Sequence, residues 1–339
     1  MIHLIFYSKE LALVHPFGIS RWTRTHVTNV FVEWHKDGIV GYGEASPNAR
    51  YKESHETALQ FIGRIPQQEL AKIVHENELK LFLNQFTDGE FAAKAALEMA
   101  FLDWKGKNNN EPLHVMWNAP KTIGPVSSFT IGIDSKEVIE NKLKEAEAYP
   151  ILKVKLGTDQ DEEIITFIRT KTAKPIWVDA NEGWKTTDIA LRRIDFLSDK
   201  NIQLIEQPMP ASEWQSMKIV RKETAIPVIA DEGFTGKEPL EKVAESYSGI
   251  NIKLMKMGSM VSSVETIRKA KELGLSVMIG CMIETALANT AGGILSMWAD
   301  YADIDGFLLL KDRPFQGFSF DEHNRIVLND LPGLGVIPV

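Results

Sequence analysis

Ile151-Leu152-Lys153-Val154-Lys155-Leu156-Gly157 is a short apolar run carrying two lysines two positions apart. Side chains two apart on a strand share a face, so Lys153 and Lys155 would stand together among branched residues that favour burial. Alone, the stretch reads as an edge strand with a solvated lysine face. Its surroundings reverse that reading. Similar runs occupy 127–132, 151–156, 175–179, 202–206, 227–231, 250–253, 276–280 and 301–305. They recur about every 22 to 28 residues, with helix-length amphipathic segments between them. Eight strand–helix repeats predict an α/β protein built on a (β/α)8-type barrel. A doubly wound open sheet is the alternative, weakened because no Gly-rich phosphate loop follows any run.

Before the barrel the texture differs. Residues 27–35 alternate, Lys36-Asp37-Gly38 is a turn signal, and 39–44 returns, which predicts an antiparallel pair. The preceding segment, 17–24, reads as a loop whose Arg21 and Arg24 are solvated charges. Helical patterns follow over 53–65, 67–75 and 89–107, the last with Ala92, Ala95, Met99 and Leu102 at helix spacing. The expected units are an N-terminal α+β domain, 1–124, a barrel, 125–310, and a tail, 311–339, that returns to pack on the first.

The 339 residues can bury a sizeable core. A net charge of −8 argues against nucleic acid and anionic membranes as partners. Cys281 is the sole cysteine, so no intramolecular disulfide forms. The first residues lack a basic segment and their apolar run is too short for a signal peptide. No stretch is apolar enough to span a bilayer. A cytoplasmic protein is expected.

The strands end in chemistry. Strand two ends with Lys153 and Lys155, strand three with Asp179 followed by Asn181, and strand four with Glu206. Strand five ends with Asp231 and Glu232, strand six with Lys253, and strand eight with Asp303 and Asp305. Active sites of such barrels lie at the C-terminal strand ends. Three carboxylates converging there would repel one another unless a cation joined them. Oxygen-only ligands, with no histidine between His114 and His323, suit Mg2+ rather than zinc. The competing reading makes the acids separate helix caps. In an eight-strand ring, strand two faces strand six, so Lys155 and Lys253 would oppose each other. A substrate carboxylate on Mg2+ becomes an electron sink, and two bases on opposite faces of the adjacent carbon give racemisation or epimerisation. Burial and nearby positive charge would lower the pKa of the lysine that acts as base.

This set resembles the enolase superfamily, and within it the muconate-lactonizing subgroup. Gly41-Tyr-Gly-Glu-Ala-Ser-Pro47 resembles the N-terminal capping-domain signature, and 95–107 the helix before the barrel. Lys153-Val-Lys155, Asp179-Ala-Asn181, Glu206-Gln-Pro208, Asp231-Glu232 and Asn251-Ile-Lys253 resemble the subgroup's lysine and metal motifs. Asp303-Ile-Asp305 resembles the pair that binds the substrate ammonium in dipeptide epimerases. The resemblance implies an isomerase that epimerises Ala-Xaa dipeptides, often in cell-wall (murein) peptide turnover. Lys155 would serve as base for the (R) epimer and Lys253 for the (S) epimer, with Lys153 stabilising the enolate. Asp179, Glu206 and Asp231 would bind Mg2+, with Asn181 and Glu232 just behind them. Thr130 and Cys281 would line the pocket, and Arg24 aligns with an arginine that binds glutamate in Ala-Glu epimerases. Trp22 and Ile19 equally suit an apolar pocket there, so the second residue of the dipeptide stays open. Lys256 reads as structural or surface. Met257-Gly-Ser259 departs from the paired glycines of many relatives and would alter the strand-six loop. The expected partner is a small dipeptide, with a homo-oligomer compatible. A lyase or cycloisomerase of the same superfamily, and a non-catalytic Mg2+-binding barrel, are the alternatives.

Overall fold

The computed structural model describes residues 2–19 and 22–339. Arg21 lies outside the described residues. Eight parallel strands form one sheet in sequential order: Phe129–Ile131, Leu152–Lys155, Ile176–Asp179, Ile202–Glu206, Val228–Ala230, Gly249–Lys253, Ser276–Gly280 and Tyr301–Asp303. They are strands one to eight below. A parallel bridge from Ser127 to Ala302 closes the sheet on itself. Every run predicted from the sequence holds a strand. No helix of the described residues is long and apolar enough to cross a membrane.

Alternation along the strands fills the barrel interior in layers. Trp177, Leu204, Ile229 and Met278 are buried together as a small apolar cluster, separate from the main core, with Ile151 and Tyr301 against it. The Trp177 and Tyr301 rings meet edge to face at 5.6 Å. This cluster is the floor of the chamber above. Each fully buried side chain of this size contributes about 1.5–3 kcal/mol.

The N-terminal sheet pairs Ile2–Ile19, Trp22–Lys36 and Ile39–Ala45 in that order, all antiparallel. Asp37 and Gly38 have φ of 53° and 76°, the two left-handed residues that a tight hairpin turn requires. Of segment 17–24, read from the sequence as a loop, the described residues 17–19 and 22–24 instead belong to two long strands: Phe17 pairs with Arg24 and Ile19 with Trp22. Gly18 looked like loop punctuation, but a Cβ there would lie 2.7 Å from the Ile133 carbonyl, so the glycine permits close approach to the barrel. The first strand and the helix Glu76–Asn84 were not anticipated, and only Gln67–Leu70 of 67–75 is helical. Gly43 is required by packing, since its Cβ would fall 1.9 Å from the Ala96 carbonyl of the long helix Phe91–Asn109.

Buried carboxylates fasten this sheet and helix to the barrel. Glu44 accepts from Thr285 N and Oγ1 at 2.9 and 2.6 Å and from Ala288 N at 3.2 Å. Those donors begin the helix Ala286–Ser296, whose exposed N–H groups favour an anion. Glu98 accepts from Ser259 Oγ at 2.8 Å and from Met260 N at the start of Met260–Glu272. Ser259, the departure noted in the strand-six loop, is thus turned toward Glu98 and does not line the chamber. In the tail, Phe315 stacks on Phe31 at 5.9 Å and Leu334 N donates to Asp103.

Candidate active site

Register sets the heights of the reactive groups. Lys155 is paired across the sheet with Asp179, and Asp179 with Glu206. On the other side Lys253 is paired with Gly280, and Gly280 with Asp303. Asp231 lies just past strand five. Asp179, Glu206, Asp231 and Gly280 each follow a floor residue by two positions along the chain, so the reactive groups gather at the C-terminal ends of the strands. Asn181, Glu182 and Gln207, just beyond strands three and four, all take positive φ, a local cost tolerated where tertiary contacts fix a site.

Asp179, Glu206 and Asp231 each place an oxygen within 4.8 Å of the others, and all three are buried. Lys155 donates to Asp179 at 2.6 Å and Lys253 to Asp231 at 2.8 Å. Lys153 spans the barrel: its Nζ lies 2.5 Å from both Glu206 and Asp303. Burial pulls Lys153 down, but Asp303, Glu206 and Asp179 outweigh it and hold the ammonium well above the usual lysine range. Lys253 behaves alike, burial being overcome chiefly by Asp231 and Glu206. Burial and Lys153 lower Lys253, as expected from the sequence, but the facing carboxylates outweigh them; a bound cation on those carboxylates would act in the lowering direction. Burial, helped by the neighbouring Asp179 charge, pushes the Glu206 carboxyl up to about 7. Burial acts the same way on Asp231, but Lys253 and Lys256 overcome it and hold that carboxylate well below its ordinary value.

The donor set suits a hard divalent cation. Three buried carboxylates converge, and no sulfur or imidazole is among them.

Asp303 and Asp305 are not helix caps. Asp303 accepts from Ser128 Oγ at 2.7 Å and from Lys153 at 2.5 Å. Asp305 accepts from the backbone N of Thr130 at 2.6 Å, and precedes a short 3-10 turn without capping it through its side chain. Burial, then the Asp303 charge, raises the Asp305 carboxyl to about 6.

One chamber gathers Lys155, Lys253, Asp231, Asp303 and Asp305 with Thr130, Cys281, Asn181 and Glu232. Phe17, Ile19, Trp22 and Arg24 of the N-terminal hairpin roof it. The Arg24 guanidinium lies 4.3 Å from the Trp22 ring centroid, so Arg24 is a wall of the chamber rather than a solvated loop charge. Asn181 N donates to Asp179 at 2.9 Å, and its Nδ2 reaches Glu232 at 3.4 Å.

Sequence reading missed several contributors. Asn251 Nδ2 donates to Glu206 at 2.7 Å. Its position two before Lys253 on strand six was the available signal, since both face inward. A Cβ on Gly280 would collide with the Asn251 amide at 2.5 Å, so this glycine makes room for it. Gln207 Oε1 accepts from the backbone N of Asp231 and Gly233 at 2.9 and 2.8 Å. Arg50 and Tyr51 also line the chamber, and Arg50 forms a forked pair with Glu182 at 3.1 and 2.9 Å. No local pattern marks that loop.

Residues 1–116 match the family model for the mandelate racemase/muconate lactonizing enzyme N-terminal domain, and 137–338 the one described as enolase C-terminal domain-like. An L-Ala-D/L-Glu epimerase of Bacteroides thetaiotaomicron is 37% identical over 99% of this chain and 88% of its own length. An L-Ala-D/L-amino acid epimerase of Pedosphaera parvula is 37% identical over 94% of this chain and 93% of its own. The solved structure of a dipeptide epimerase from Cytophaga hutchinsonii, complexed with Mg and D-Ala-L-Val, superposes with a TM-score of 0.90 at 26% identity, covering 99% of this chain and 95% of that one. Matched in both halves, and in relatives along nearly its whole length, this chain belongs to the mandelate racemase/muconate lactonizing enzyme family of the enolase superfamily.

Proposed function

We propose that this enzyme epimerises dipeptides of the Ala-Xaa kind at the α-carbon of the C-terminal residue. The observation that carries the reading is the presence, in one chamber, of two lysines from facing strands together with the Asp303–Asp305 pair. The names of its relatives support the same activity.

Asp179, Glu206 and Asp231 would hold Mg2+, which would supply Lewis-acid stabilisation of charge on the substrate carboxylate and offset the carboxylates that keep Lys253 protonated. Lys155 and Lys253 reach the α-carbon from opposite sides. The neutral amine of one takes the α-proton, and the C–H electron pair delocalises into the substrate carboxylate. The ammonium of the other then gives its proton to the opposite face, forming the new C–H bond and the inverted centre. Lys155 is the base for the (R) epimer and Lys253 for the (S) epimer. Lys153 donates hydrogen bonds to the charge that develops on the carboxylate. Asp303 and Asp305 take the substrate ammonium at the far side, and a substrate without one would leave Asp305 without a cationic partner. Thr130 and Cys281 shape the chamber beside them, while Ile19, Trp22 and Arg24 meet the side chain of the second residue. Asn181 and Glu232 support the carboxylate set. On this reading 1–124 is a capping unit, 125–310 the catalytic barrel, and 311–339 a tail bound to the cap.

A library of L,L and L,D dipeptides, incubated with enzyme and Mg2+ in D2O and read by mass spectrometry, tests this. Ala-Xaa dipeptides should gain one deuterium and interconvert, and N-acetylated analogues should do so poorly. Equal turnover of blocked and free dipeptides, or dehydration of a non-peptide acid alone, would shift the assignment to the lyases.

A further inference from the structure

Strand six is followed by a second lysine, Lys256, three residues after Lys253. The single turn Leu254–Met257 directs it, and Gly258 closes that turn at φ 71°. A Cβ on Gly258 would lie 2.9 Å from the Phe91 ring, so the turn is pinned against the long helix. As a result Lys256 points into the protein and is buried, 1% exposed.

An ammonium has three N–H donors. Those of Lys256 meet three acceptors: Asp231 Oδ1 at 2.6 Å, the Asp231 carbonyl at 2.7 Å and the Asn251 carbonyl at 3.0 Å. No donor remains for a substrate, and Lys256 is not among the residues lining the chamber. Lys253, by contrast, lines the chamber and touches the other carboxylate oxygen, Oδ2. The two lysines thus divide Asp231 between them. Asp231 is held at its N–H by Gln207 and at its carbonyl and Oδ1 by Lys256, which leaves Oδ2 to Lys253. Through Asn251, whose side chain holds Glu206, the same ammonium steadies a second carboxylate.

We infer that Lys256 is a positioning residue for metal binding, fixing Asp231 by hydrogen bonds whose effect on the site outweighs the repulsion between its charge and the metal. The inference rests on the reading of Asp179, Glu206 and Asp231 as the Mg2+ site. The two roles predict opposite signs. A cation beside a cation site repels the metal, so if Lys256 acted only through charge, removing it would tighten Mg2+ binding. If it orients Asp231, removing it weakens binding, by the roughly 10- to 100-fold seen when a partner of a metal ligand is lost.

The test is calorimetric titration of MgCl2, without substrate, into wild type, Lys256→Met and Lys256→Gln, each first shown to melt cooperatively. Lys256→Met should bind Mg2+ about 10- to 100-fold more weakly. Lys256→Gln keeps two donors without the charge and should fall between it and wild type. Affinity equal to or tighter than wild type in Lys256→Met overturns the inference. If that variant does not fold, Lys256→Gln decides: binding several-fold weaker than wild type supports positioning, and equal or tighter binding overturns it. A wild type that takes up no Mg2+ overturns the metal reading beneath it, an outcome distinct from failure of the Lys256 role alone.

Discussion

Trp177, Leu204, Ile229 and Met278 sit two residues before Asp179, Glu206, Asp231 and Gly280 on or at the ends of the same barrel strands, so floor and rim share backbone and burial. The floor is held by contact area and carries no charge. The rim packs Lys153, Lys155, Lys253 and Lys256 against five carboxylates in a space almost closed to water. Taking such charges out of water costs several kcal/mol each, and their mutual attraction often does no more than repay it. Stability is thus a sufficient reason for the floor and a poor one for the rim. The difference between the layers locates function without reference to any relative.

The predictions probe that contrast. Asp231→Asn, nearly isosteric, should weaken Mg2+ binding by at least about 100-fold, beyond what loss of a ligand's partner costs, and remove turnover with it. Calorimetry and a deuterium-exchange assay check this; full turnover after exhaustive chelation would contradict it. In the floor, Leu204→Ala should cost about 2–5 kcal/mol of unfolding free energy while leaving Mg2+ affinity near wild type. Chemical denaturation read beside the titration separates the two layers. Asp305→Asn should raise KM for dipeptides with a free amine about 10- to 100-fold, the scale of a lost hydrogen bond to a charged group, with little effect on the melt.

The smallest effect concerns pH. The Asp305 carboxyl is raised to about 6 by burial and then by Asp303, so it is ionised above that pH and neutral below it. Only the ionised form attracts the ammonium. The kcat/KM for free-amine dipeptides should therefore fall as pH drops through about 6, approaching tenfold per unit, and Asp305→Asn should lack that step. An unchanged profile in the variant would assign the ionisation elsewhere.

Much of this arrangement was legible in the sequence because it is local. Each barrel strand is a short apolar run, and its terminal residue must lie at the rim, so the run boundaries alone placed Asp179, Glu206 and Lys253. What escaped depends on tertiary contacts. Segment 17–24 carries a glycine that reads as a turn, and only the barrel wall beside Gly18 explains it as strand. The direction of Lys256 is set by Gly258 meeting Phe91, more than 160 residues earlier in the chain. Residue order likewise does not show that Lys153 lies between Glu206 and Asp303.

The most direct measurement follows α-proton exchange by NMR in D2O from each pure dipeptide epimer, using wild type, Lys155→Ala and Lys253→Ala with Mg2+. If two facing lysines each serve one side of the α-carbon, Lys155→Ala loses exchange from the (R) epimer and Lys253→Ala from the (S) epimer. Each variant should keep exchange on the face its remaining lysine serves, and neither should invert its substrate. A Lys253→Ala enzyme that still interconverts the epimers at near wild-type rate would contradict the two-base account.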